Sequence, residues 1–548
     1  LAEQAPPLNG GGSVDGCGPI AGSTFGLPAH GPGFLRSLGR YGPPPPPLGA
    51  GTGSAHVAPW DAPPTASSAL PGGAPGGFGP APTIGVYPPA CDAAAIPYAA
   101  TDFGPDPYLD GCEWDGCSDP YAGKHLNCAQ RPWVECPIPL YGPGPWPPSF
   151  DFLGPTNLVQ PKFYVYGDFR TAIANNNFNG NTKTVWGNRL NLDFDFAITA
   201  TERIHAFLGP LDQGQQFSGF AIEDGQLEVE DRFDGFDEST DALYFEGDVG
   251  YIFGGLAGVD APFNLPIAVG LIPLVFQNGI WLEDSFVGAA ATIPARNSPG
   301  LDWSNFDTTF FVGFEELNND AFGTESDEAD FVGVTTFIER RGGYIELGWA
   351  YVVDPTDQGQ DYHNIGMSYT RRYLNLVSNS ARVIINTGQG GPESDRTANG
   401  ALLLLENSLL TPLPYNVIPY VNLFAGFDRP QPLGRVQGPL KNTGINFESD
   451  LLTGYPFLDD SGNDTYGGAF GVDLLGADFD RQFIIETAVL QAYGDPVGRV
   501  APGDQYALGV RWQRRLNNSL ILRADAMHGW LENAPDIDGG RVELRHKF

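Results

Sequence analysis

The sequence predicts an all-β chain: a transmembrane antiparallel up-and-down β-barrel of about 18 strands (range 16–20), preceded by an extended Pro-rich, cysteine-bearing arm. Three observations carry this. From about residue 160 onward, segment after segment alternates apolar and polar side chains with a period of two. The connections between those segments alternate between tight turns and long polar loops. The chain also ends on such a strand: Val542, Leu544, His546 and Phe548 share one face, and Arg541, Glu543, Arg545 and Lys547 the other.

Residues 1–155 form the first region. Residues 1–150 hold 30 of the 50 prolines and all six cysteines. Pro43 to Pro47 is an unbroken run, and Gly-Pro and Pro-Gly pairs recur as far as Pro148. Such a stretch favours polyproline II and turns and lacks the apolar period to fold alone. The expectation is an arm held by packing on the barrel, in its lumen or on neighbouring subunits, rather than a disordered linker. The start, Leu1-Ala2-Glu3-Gln4, reads as a mature terminus after export. Cys17, Cys91, Cys112, Cys117, Cys128 and Cys136 are an even set that would staple a region with little core of its own, and the sequence does not choose the pairing. Zinc is the alternative, with His125 and Cys128 close together. The absence of any Cys-x-x-Cys pair favours disulfides.

Residues 156–548 form the second region, the barrel. Phe163, Val165 and Phe169 oppose Lys162, Tyr164, Tyr166, Asp168 and Arg170. Trp186, Leu190, Leu192, Phe194, Phe196 and Ile198 oppose Arg189, Asn191, Asp193 and Asp195. The same alternation gives Ile345, Leu347, Trp349, Tyr351 and Val353 against Tyr344 and Glu346. It gives Tyr506, Leu508, Val510 and Trp512 against Gln505, Arg511, Gln513 and Arg515. Leu520 to Trp530 repeats it, with Arg523 and Asp525 on the polar face. Strands begin near 162, 184, 202, 243, 266, 284, 305, 330, 343, 361, 381, 400, 417, 466, 480, 504, 518 and 540; a short hairpin at 216–232 would raise the count from 18 to 20. Tight turns are expected at Thr199-Ala200-Thr201, Arg341-Gly342-Gly343 and Asn517-Asn518. Long loops are expected at 172–183, 232–242, 315–329, 388–399 and 428–465, with 254–265 as a fairly long connection on the turn side.

Composition excludes several classes. No apolar run reaches the roughly 18 residues of a membrane helix, so any crossing must use a closed barrel, because an open sheet edge does not survive in lipid. A net charge of −36 argues against nucleic acid as a partner. No Gly-x-Ser-x-Gly, His-Glu-x-x-His or phosphate loop appears, so the chain reads as a non-enzyme without cofactor. His528 and His546 face outward, and Ser519 has the opposite parity to His528, so a Ser–His pair on the outer face is not expected.

The closing strand resembles that of bacterial outer-membrane β-barrels, a family in which an aromatic C-terminal residue, here Phe548, belongs to the assembly signal. All of 160–548 looks like an outer-membrane porin. Asn188-Arg189-Leu190-Asn191-Leu192-Asp193-Phe194-Asp195 followed by Thr201-Glu202-Arg203-Ile204 is similar to early strands of alginate-export-type barrels. So is Val269-Gly270-Leu271-Ile272-Pro273-Leu274 with the returning Phe286-Val287-Gly288, although Leu271 and Ile272 replace the polar pair of that family. The resemblance therefore implies the architecture and not the alginate.

It implies a channel for passive diffusion of small hydrophilic solutes or ions, set in outer-membrane lipid. The arm would lie in the periplasm or in the lumen. It would serve assembly of a homo-oligomer, a trimer being favoured, or meet envelope and cell-wall partners through residues 1–155. The alternative is a structural envelope protein anchored by its barrel; a soluble two-sheet protein is a third reading. Candidate pore-lining residues are Arg189, Asp193, Asp195, Glu346, Arg511, Arg515, Arg523, Asp525, Arg541 and Arg545. Their opposed charges would set a field across a water-filled bore; the plainer reading is a lumen packed with ion pairs. A barrel of 16 or more strands leaves room for water, which favours the bore. The acidic stretches 223–241 and 315–330 either fold inward as a constriction or stay solvated. Asp459, Asp460, Asn463 and Asp464 place oxygen ligands around a Gly turn, a weak Ca²⁺ pattern without the downstream acidic ligand of an EF-hand loop; a polar turn is the plainer reading and no metal is expected.

Overall fold

The computed structural model describes residues 132–137 and 148–548, apart from 179, 214–215, 224–225, 231–241, 357, 412–416, 477–479, 495–497 and 518. Its first strands are β1 (Val134–Cys136), β2 (Lys162–Phe178), β3 (Asn181–Ala197), β4 (Arg203–Leu208), β5 (Asp212–Gln213), β6 (Gln216–Glu223), β7 (Gln226–Glu230) and β8 (Ala242–Asp248). Then come β9 (Pro266–Phe276), β10 (Leu282–Ser298), β11 (Trp303–Glu315), β12 (Phe331–Arg340), β13 (Gly343–Val352), β14 (Tyr362–Tyr373), β15 (Val377–Thr387), β16 (Asn399–Leu409) and β17 (Val417–Arg429). The chain finishes with β18 (Gly434–Arg435), β19 (Thr465–Leu475), β20 (Arg481–Ala492), β21 (Gln505–Arg515), β22 (Leu520–Leu531) and β23 (Ile537–Lys547).

Each long strand pairs antiparallel with the next, and β23 returns to β2 with Asp168 opposite Lys547 and Asn177 opposite Asp538. The ring is therefore closed, an antiparallel barrel of eighteen staves. Phe548 completes the closure: its N–H donates to Gly167 O and its carbonyl accepts from Gly167 N, both at 2.9 Å. Below it, β1 takes over the free edge of β2, with Val134 opposite Val165, and the Trp133 ring meets the Phe548 ring edge-on at 5.3 Å.

The hairpin near 216–232 does not add two staves. β4 pairs with the lower half of β3 (Ala197 to Leu192) and β6 with its upper half (Asn188 to Lys183), so β4 and β6 are two pieces of one stave. The return stave is likewise split into β7, beside β6, and β8, beside β4. The expected loop at 172–183 is also corrected. β2 and β3 run without interruption to Phe178 and from Asn181, because Ile173, Asn175, Thr184 and Trp186 continue the alternation through the polar stretch.

The expected turns lie at one end of the barrel, with both barrel termini, and the long connections at 315–329, 388–399 and 428–465 leave from the other; the loop expected at 232–242 falls almost wholly outside the described residues. The long connection at the turn end begins as a helix, α1 (Val249–Ala257). Asp248 caps it by accepting from Gly250 N at 2.7 Å and Tyr251 N at 3.2 Å, and Gly258 ends it in the left-handed region at φ 67°. Along the described staves the outward face is mostly apolar, as with Leu347, Trp349, Met367 and Ile385 on neighbouring strands. Cys136, among the expected disulfide partners, is an exposed free thiol; the other five cysteines, and the arm before residue 132, lie outside the described residues.

Candidate functional site

The interior is not an empty bore. The 430–464 connection between β17 and β19 folds back into the barrel, and its Leu433, Leu440, Phe447 and Leu458 are fully buried. A loop expected to lie outside thus belongs to the core. At one end it adds β18 beside β10 in parallel, with Leu433 N donating to Trp281 O at 2.7 Å. Trp281 itself points inward from the β9–β10 connection. Its Nε1–H donates to Asn364 Oδ1 at 2.7 Å, and Gly348 and Gly366 leave space for the indole, since a Cβ on either would meet the ring within 2.7 Å. Asn364 and Asn386 both donate to Gln431 O at 3.1 Å. The 316–330 connection also packs inward through Leu317, Ala321 and Asn319, whose amide donates to Leu433 O at 3.0 Å.

Further along, the loop meets a wall of ionised side chains. Inward-facing Arg170, Arg511, Arg523 and Arg541 come from β2, β21, β22 and β23, and the wall itself supplies two carboxylates, Asp525 and Glu543. Asp525 takes hydrogen bonds from Arg511 (2.6 Å), Arg523 (2.7 Å) and Arg541 (2.8 Å), and Glu543 one of 2.7 Å from Arg170. The loop contributes the missing two. Glu448 bridges Arg511 at 2.6 Å and Arg523 at 2.8 Å; Asp450 pairs with Arg541 and lies 3.4 Å from Arg170. Four guanidiniums therefore face four carboxylates. Burial opposes ionisation of Glu448, but the Arg511 and Arg523 guanidiniums outweigh it and hold its carboxyl down at about 2. Burial likewise opposes ionisation of Asp450, and Arg541 and Arg170 hold it well below the usual carboxylate range.

Of the sequence candidates, Arg511, Arg523, Asp525 and Arg541 meet in this network. Arg545 pairs separately with Asp168 at 2.8 Å. Arg189 pairs at 3.2 Å with Asp212, from the excursion that interrupts the β4–β6 stave, and lies over the Phe217 ring. Asp195 holds Arg203 at 2.9 Å, and Asp193 shares that inward face, opposite Phe207. Glu346, on the far wall, accepts from Ser368 at 2.8 Å and lies 3.7 Å from Arg382, which donates to Glu406 at 2.7 Å and to Gln277 O at 3.0 Å. Arg515 ends β21 on the inward face, near the turn end and away from the network.

Sequence reasoning placed Arg170 and Glu543 on polar strand faces without counting them as pore-lining, and it missed Glu448, Asp450 and Glu486. Glu486 anchors the loop by its backbone. It accepts from Ile445 N (3.0 Å), Asn446 N (2.9 Å) and Asn446 Nδ2 (2.8 Å), and Tyr420 donates to it at 2.5 Å. The available signal was Leu433, Leu440, Phe447, Leu452 and Leu458, too many large apolar residues for a solvated loop.

The weak Ca²⁺ pattern is taken apart. The Asp459 carboxylate accepts from the Ser461 hydroxyl at 2.9 Å and from Val500 N at 3.3 Å while its own N–H donates to Gln505 Oε1, Asp460 Oδ2 accepts from Gly438 N at 3.1 Å, and Asp464 Oδ1 accepts from Asp428 N at 2.8 Å. No group of three or more His, Cys, Asp or Glu is placed to hold a metal among the described residues. Ser519 and His528 lie at opposite ends of β22; the Ser519 hydroxyl bonds Asn517 instead.

No family model and no curated protein matches the chain. Among solved structures it is similar to the outer membrane protein OpdK of Pseudomonas aeruginosa, at 11% identity over 70% of this chain and 98% of that one, with a TM-score of 0.45. OccK7 (OpdD) of the same organism overlaps at 12% identity, 70% and 98% coverage and a TM-score of 0.45, and OccK5 (OpdH) at 10%, 70%, 98% and 0.44. The barrel itself rests on its own closed ring of strand pairs.

Proposed function

We propose that this chain is a porin-like channel of a bacterial outer membrane, passing small hydrophilic solutes or ions by passive diffusion through a bore narrowed by its own 430–464 loop. The observation that carries this is the closed eighteen-stave ring, apolar outside and polar or charged within, the one sheet arrangement with no edge to leave unpaired in lipid. On this reading the turn end, with the barrel termini, faces the periplasm. Residues 1–155 serve oligomer assembly or contact the envelope, and the cysteines before residue 132 staple the arm. No chemical step and no cofactor are involved. Because the four arginines of the wall are matched by four carboxylates, they add little anion preference. The acidic external loops bias entry toward cations.

The test is conductance of the purified protein in a planar bilayer, with the reversal potential in a salt gradient. Discrete steps and a cation-selective potential are expected. Glu448→Gln with Asp450→Asn should raise the step size several-fold by freeing the loop from the arginine wall. The dense bonding of 430–464 across the interior favours a second reading, a barrel shut by its loop that serves as an envelope anchor. Silence from both the native protein and the double variant, each folded, would replace the channel with that anchor.

A further inference from the structure

The outward belt is not uniform. Across β17, β19, β20 and β21 it presents large apolar groups, such as Leu423, Phe470, Ile485 and Leu508. Across β22, β23 and β2 that run is broken by small and polar groups. Here Ala524, Ala526 and Gly540 make a hollow, and the place a Cβ would take on Gly540 has nothing within 4 Å. Beside the hollow stand Ile173 and Val542, 58% and 54% exposed. Above it runs a polar row in direct register: His528 opposite Asp538, and Asp538 opposite Asn177. His528 Nδ1 bonds Asp538 Oδ1, and Asn177 donates to Asp538 Oδ2 at 3.0 Å, yet the Asp538 side chain remains 50% exposed. Trp530 and Tyr506 lie one outward position nearer the loop end, so the row falls on the apolar side of the aromatic girdle.

A carboxylate and an imidazole facing hydrocarbon are costly. Small residues that let backbones approach, next to polar groups that bond across, are what membrane-embedded contacts between proteins use. We infer that the outer face of β22, β23 and β2 is the contact through which a second copy of this chain packs in the membrane. A second copy is the fitting occupant because the surface complements itself. It carries a hollow and a protruding Ile173–Val542 ridge side by side, and a row holding both donors and acceptors. This inference rests on the membrane-channel reading above and gives the expected oligomer a specific surface.

The experiment compares the native protein with Gly540→Trp, which fills the hollow, and with His528→Leu/Asp538→Leu, which removes the polar pair. Leu423→Trp on the large-residue flank is the control. Mass is measured in lipid nanodiscs, and heat-modifiable migration reports the folded barrel. The native protein and the control are expected as multimers, and both seam variants as folded monomers, with the multimer fraction down at least tenfold. A monomeric native protein, or multimers that survive both seam changes, would overturn the proposal. Failure of the native barrel to enter nanodiscs at all would instead overturn the membrane reading on which it rests, and the proposal with it.

Discussion

The 430–464 loop leans on two walls of opposite chemistry. Toward β15–β17 it buries Leu433, Leu440 and Phe447 among Trp281, Ile384, Leu402, Leu404 and Phe424, with the Phe447 and Phe424 rings perpendicular at 5.7 Å. Toward β21, β22, β23 and β2 its contacts are mainly polar: Glu448 and Asp450 meet four arginines, the Tyr455 ring lies under Arg541, and the Thr453 and Gly454 carbonyls accept from Asn176. Burial on the apolar side is non-directional and rewards each large side chain it removes from water. The ionic side is the reverse. Its charges balance only when both loop carboxylates are in place, so it fixes the loop's register while contributing little net attraction after desolvation. The apolar wall supplies most of the adhesion, and the ionic wall adds a charge balance that only one register satisfies.

The sharpest way to break that division is Asp525→Asn. It takes away the carboxylate shared by Arg511, Arg523 and Arg541 without changing side-chain shape. Removing one partner of a buried ion pair costs about 3–5 kcal/mol, so urea unfolding in detergent should shift by that much. A loss below about 1 kcal/mol would mean that water already screens the wall. Leu440→Ala tests the other side: deleting a fully buried leucine should cost about 3 kcal/mol. It should also leave the selectivity of the channel unchanged, since no charge moves. A changed reversal potential would show that adhesion and position are not separable.

Most of the barrel was legible because a strand writes its two environments into alternate residues. Trp186 to Phe196 and Tyr506 to Trp512 each specify their outward face in the sequence. The same alternation could not reveal the split of one stave into β4 and β6, because an interruption and a turn look alike when both are polar. The inward charges were legible one at a time, as Arg511, Arg523, Asp525 and Arg541. Their partners were not, because Glu448 and Asp450 sit in a segment with no period, and nothing local says that a loop of that length turns inward. The apolar residues at 433, 440, 447, 452 and 458 were the trace, too sparse among glycines and polar residues to mark a strand or a helix.

Within the loop the same contrast recurs on a smaller scale and makes the pH dependence two-sided. Glu448 is held down at about 2 against burial by Arg511 and Arg523. Its contribution to docking is complete above the ordinary carboxylate value, about 4, and is lost as pH falls toward 2. Asp459 and Asp460 have no such partners in contact. Burial pushes Asp459 up to about 6, and burial with the neighbouring Asp459 charge pushes Asp460 up to about 7. A raised value means that the docked loop holds protons that the released loop gives up. Their contribution is therefore complete below about 4 and is lost as pH rises to about 7. Docking should be tightest near pH 4–5. Amide hydrogen exchange across 445–462, corrected for the intrinsic pH effect, should be slowest there and faster at both pH 8 and pH 2.5. Asp459→Asn with Asp460→Asn should flatten the alkaline limb and leave the acid limb intact. If exchange instead changes in one direction across the whole range, or if the double variant alters the acid limb, the two carboxylate groups do not act separately.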